Sequence, residues 1–175
     1  MSSTKDLEDL VSRWLLEEMF VVTKLDPSTM PGILWGLDVT TPSRPSVRFA
    51  VISPIDRQDR VVLALGVVIS PEHKRELDKL KPLEKIRAVH SILSRVLLMC
   101  PDCKIAVQPS VLDPQALAIN MELFADEIKN GGKPLFTKRV TRLINTYFIV
   151  VSSFNELFPV IPQQPGKEPE SGSFI

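Results

Sequence analysis

Cys100 and Cys103 stand in the spacing Cys-Pro-Asp-Cys, two thiols three positions apart. Such a pair can carry thiol–disulfide chemistry when it opens a helix, because the helix N-terminus favours a thiolate. Here the flanking pattern places the pair at the end of a helix and before a strand. The helix dipole then has the wrong sign for a reactive thiolate. The spacing alone does not distinguish buried thiols from an occasional structural disulfide. A small redox enzyme using Cys100 and Cys103 remains the alternative. Zinc needs about four ligands, and the two cysteines have only His73 and His90 to complete a set.

Other residues invite chemistry less strongly. Asn130-Gly131-Gly132-Lys133 precedes a helical pattern and can offer backbone N–H groups to an anion, but the second spaced glycine and the Lys-Ser/Thr ending of a P-loop are missing. A turn explains both glycines. His90 sits among apolar positions with no nucleophile assignable beside it. Lys133, Lys138, Arg139 and Arg142 give the last helix a basic start, an alternative site for weak nucleic-acid binding. The carboxylates of Glu17, Glu18, Asp56, Asp59, Asp126 and Glu127 follow no metal-loop spacing. No catalytic residue, metal or cofactor is assigned.

The totals narrow the classes. A chain of 175 residues can build one domain with a core. Its 21 basic and 21 acidic residues cancel, which argues against a dedicated nucleic-acid binder. No run of roughly 18 apolar residues exists for a membrane span, and no signal-peptide layout opens the sequence, so a cytoplasmic protein is expected.

Eight elements must position these residues. Leu7, Leu10, Val11, Trp14 and Leu15 mark one stripe of a helix over residues 3–19. A strand follows at 20–25. Pro27, Pro31, Gly32, Pro42 and Pro45 then read as a loop, inside which Trp35 either plugs a sheet edge or meets a partner. Strands are expected at 46–54 and 61–69, and Gly66 in the second suggests a bulge or a close backbone approach. Ser70-Pro71 starts a helical stretch that breaks near Pro82 and ends at Pro101. Strands at 104–107 and 116–125 precede a helix from Pro134 to Phe158, within which residues 146–151 are β-branched enough for a strand. The domain spans residues 1–158. The Pro-rich tail, 159–175, is expected to be disordered.

The order α-β-β-β-α-β-β-α is similar to that of type III secretion chaperones. The alternation from Leu117 to Asp126, with a short turn and the helix from Pro134, resembles an uncharacterised archaeal family with that chaperone-like fold. The resemblance implies an antiparallel sheet with helices on one side and a tendency to form homodimers. The fold expected is α+β: a five-stranded antiparallel sheet whose inner face is Val47, Phe49, Val51, Leu117, Ile119, Met121 and Leu123, covered by three helices. The outer face then carries Arg48, Ala50, Ile52, Ala118, Asn120, Glu122 and Phe124, near Ala64 and Gly66. That mixture of apolar and polar groups is typical of interfaces. The function expected is a non-enzymatic protein-binding module, chaperone-like and homodimeric. It would bury the outer face or the apolar last helix against another chain, with Trp35, Arg48, Ala50, Ile52, Asn120, Glu122 and Phe124 as interface residues.

Overall fold

The structure, a computed structural model, describes residues 3–159. The expected tail lies almost wholly outside those residues. Among the described residues ten elements follow one another: α1 (Ser3–Glu17), β1 (Val21–Leu25), β2 (Ile33–Thr40), β3 (Arg48–Pro54), β4 (Arg60–Val68), α2 (Pro71–Lys79), α3 (Pro82–Met99), β5 (Cys103–Pro109), β6 (Pro114–Phe124) and α4 (Ala125–Leu157). The fold is α+β. The strands form one antiparallel sheet in the order β1-β2-β3-β4-β6-β5.

The sheet has six strands, and four helices stand where three were expected. The missed strand is β2, hidden between prolines that all lie outside it. Ile33, Trp35, Leu37 and Val39 alternate along it and are all buried, as period-two side chains on one covered face must be. Gly32, just before β2, has φ 97°, a backbone that side-chain-bearing residues rarely adopt. The punctuation was therefore real but marked the ends of a strand.

The helical stretch after Ser70 divides as its prolines dictate. Ser70 accepts from the His73 backbone N–H at 3.3 Å and Pro71 opens α2. Pro82 opens α3, whose Glu84 carboxylate accepts from the Lys81 backbone N–H at 3.1 Å. At the far end, Asn130 to Gly132 do not form a turn between strand and helix. Helix α4 begins directly after β6, and the glycines lie in a kink where Gly132 takes φ 61° and ψ −163° ahead of Pro134. Residues 146–151 are helical; packing of Val150 and Thr146 into the core overrides their β-branching.

Val47, Phe49, Val51, Leu117, Ile119, Met121 and Leu123 are all buried, as expected for the inner face. Leu7, Val11 and Leu15 of α1 and Phe136, Val140 and Leu143 of α4 join them in one core. Each such side chain contributes about 1.5–3 kcal/mol on burial. Helix α4 packs on β4 and β6, α1 on β1 and β2, and α3 against α4. The other face of the sheet carries no helix among the described residues.

Candidate protein-binding face

The uncovered face is built by strand register. Asp38 pairs with Ala50, Ala50 with Ala64, Ala64 with Asn120, and Asn120 with Lys104. One step along, Gly66 pairs with Ala118 and Ala118 with Ala106. Small residues therefore meet side by side across four strands. With larger side chains at the margin, they floor a concavity of about 260 Å³ lined by Leu25, Met30, Arg48, Ile52, Gln108 and Asn120. Gly66 is neither a bulge nor a site of close backbone approach. The β4–β6 register runs through it unbroken, and a Cβ built there would meet nothing within 4 Å.

Charge borders the concavity without entering it as a free ion. Arg48 grips Asp38 through two nitrogens, Nε to Oδ1 at 2.9 Å and Nη2 to Oδ2 at 2.8 Å. That hydrogen bonding raises the guanidinium pKa. At the other end Arg60 Nη1 donates to Glu122 Oε2 at 2.8 Å and Lys104 Nζ donates to Oε1 at 2.5 Å. Lys104 first, then Arg60, holds the Glu122 carboxyl below its ordinary value. The Phe124 ring lies 5.0 Å from the Arg60 guanidinium carbon, half exposed, in cation–π range.

Of the seven interface residues expected from sequence, six lie together on this face: Arg48, Ala50, Ile52, Asn120, Glu122 and Phe124. Trp35 does not. It is 5% exposed and belongs to the helix-covered side, in the core, because its strand parity is that of Leu37 and Val39. The sequence reading missed Leu25, Met30 and Gln108, which reach the concavity from β1, the following loop and β5. Only the antiparallel alternation of β1 against β2 could have signalled Leu25.

The other candidates fall elsewhere. Cys100 and Cys103 are joined as a disulfide, both buried, between the C-cap of α3 and the first residue of β5. The basic start of α4 is largely paired: Lys133 with Glu17 and Glu18, Arg139 with Asp102 and Glu127, and Arg142 with Asp102. His90 is exposed on α3. Among the described residues no group of three metal-ligating side chains converges, and no helix is long and apolar enough to cross a membrane. The last helix keeps little apolar surface free, since Ile128, Phe136, Val140, Leu143, Val150 and Phe154 are buried. The surplus sits on α3 instead, where Leu83, Ile86, Leu97, Leu98 and Met99 are exposed.

Residues 7–154, nearly the whole of this arrangement, match the family described as "uncharacterized conserved protein (DUF2299)". The chain belongs to the DUF2299 family. The fold of this DUF2299 chain is similar to the crystal structure of an uncharacterized protein from Methanothermobacter thermautotrophicus, with a TM-score of 0.75 and 15% identity over 87% of this chain and 99% of that one. At that identity the likeness concerns the fold alone. No curated protein matches the chain. These findings support the uncharacterised family and an archaeal structural neighbour; the likeness to type III secretion chaperones remains a proposal.

Proposed function

We propose that this DUF2299 chain is a non-enzymatic, chaperone-like protein-binding module, homodimeric, whose outer sheet face receives an apolar side chain or short segment of another polypeptide. The observation that carries this reading is the small-residue concavity on the uncovered face. Apolar surface left open beside polar groups is typical of association surfaces. Burying even some hundreds of Å² there is worth several kcal/mol at about 25 cal/mol per Å², before the costs of association. The flanking charges Arg48–Asp38 and Arg60–Glu122 are already compensated within the chain. They can rim an interface without demanding a charged partner.

The test is a photo-cross-linking amino acid placed at Ile52, beside the concavity, and at exposed Arg13 of α1 as a control, in the full chain expressed in cells. Discrete protein adducts from position 52, absent at position 13 and lost when Ala118→Arg fills the concavity, are the expected result. Equal or no adducts from the two positions would overturn the reading.

A further inference from the structure

The two edges of the sheet are treated differently. Edge strands invite pairing with another chain, and proteins guard them with inward-pointing charge or a covering element. At the β1 edge, Lys24 stands opposite Leu37 on the helix side and binds Glu8 of α1 at 2.8 Å. That edge is guarded twice, by a charge and by a helix packed on it. At the β5 edge the helix-side positions are Cys103, Ile105 and Val107, opposite Met121, Ile119 and Leu117. None is charged, and Ile105 and Val107 are only partly buried.

Lys104 and Pro109 guard the strand only on its outer face and at its end, and helix α3 continues the apolar helix-side boundary into the second layer. Val89, Ile92 and Val96 face the core, and Arg95 reaches across to Ser153 and Glu156 of α4. At about 100° per residue, Ile86, Leu93 and Leu97 lie roughly opposite Arg95 and point away from α4. Since α1 lies on the β1–β2 side of α4 and a two-residue turn ties α3 to β5, that flank borders the β5 side. Leu83 is 59% exposed, Ile86 40% and Leu97 47%. Strand edge and helix stripe thus end at one boundary, mainly apolar in both layers, with exposed His90 set among Ile86, Leu93 and Leu97.

We infer that this boundary is a seam for a second copy of the chain: β5 pairs antiparallel with β5 of the partner, and the α3 stripes pack on each other across the same two-fold axis. The inference rests on the reading of the chain as a homodimeric binding module and assigns its dimer contact. A second copy fits because the stripe carries no acidic or basic side chain other than His90 for a foreign partner to read, whereas a two-fold operation sets like against like. The size suits a weak dimer. Seven residues of β5 span about 23 Å at 3.3 Å each, and a strand layer plus a helix layer stands roughly 20 Å high. That gives about 450 Å² of projected face per copy, about 900 Å² in total, the size of a weak or transient interface, supplemented by a main-chain ladder. Two sheets become one of twelve strands, and both concavities remain open on the same side.

The test is sedimentation velocity of the full chain from about 1 to 200 μM, range chosen to bracket a micromolar Kd, with hydrogen exchange read at β5. The wild type is expected to form dimers, and the β5 amides to gain protection with concentration. Ile86→Lys and, independently, Leu97→Glu should each weaken dimerisation at least tenfold with an unchanged circular dichroism spectrum. Either exposed-site variant suffices if the other fails to fold. A dimer unaffected by both but abolished by Ala118→Arg overturns the seam while leaving a homodimer that uses the outer face. A monomer throughout, with or without β5 protection, overturns the seam and the dimer, while adducts from position 52 would still uphold the binding face.

Discussion

Gly66, Ala64 and Ala118 shape the candidate site by what they lack. On the covered side of the same strands Leu65, Leu117 and Ile119 fill all space; on the open side these small residues leave it empty. A glycine within a strand costs about 0.5–1 kcal/mol relative to a residue with a side chain, and β-branched residues suit a pleated surface better. Nothing stands within 4 Å of a Cβ at this position. Gly66→Val should therefore raise stability by about 0.5–1 kcal/mol in urea unfolding, while reducing adducts from position 52. A destabilised Gly66→Val protein would mean that the glycine serves the fold rather than the concavity.

At the scale of elements, alternation was legible wherever it ran between clear turns. The spacing of Phe49, Val51, Ile119 and Met121 placed the inner face, and the same parity placed Arg48, Ala50, Asn120 and Glu122 opposite. Strand β2 was not legible, because its alternation of Ile33, Trp35, Leu37 and Val39 was outweighed by Pro27, Pro31, Pro42 and Pro45 on either side. That error placed Trp35 over a sheet edge or against a partner when its parity puts it in the core. The kink at Gly132 read as a turn because a local sequence cannot tell a break within a helix from a break before one. The apolar excess assigned to α4 belongs to α3, since helix burial depends on which elements cover it and not on its own stripe. The Cys100–Cys103 bridge joins α3 to β5. Closing so short a loop restricts the unfolded chain little, worth about 2 kcal/mol by the loop-entropy relation. The folded, unreduced protein should show no titratable thiol near neutral pH, and reduction should lower its stability by about that amount or less. A reactive thiol in the native protein would revive the redox alternative.

At the scale of the molecule, one layer of helices on one face of a six-stranded sheet leaves two kinds of surface unfinished. One is the open face with its concavity; the other is the boundary of β5 and α3. A single chain has no further described element to cover either. On this reading the DUF2299 chain works in association with other polypeptide, beginning with its own copy. The most direct measurement is the molar mass of the full chain by light scattering as concentration rises into the high micromolar range. The mass should climb to twice that of the chain. A mass fixed at one chain up to about 200 μM, a concentration far above a micromolar Kd, would contradict it.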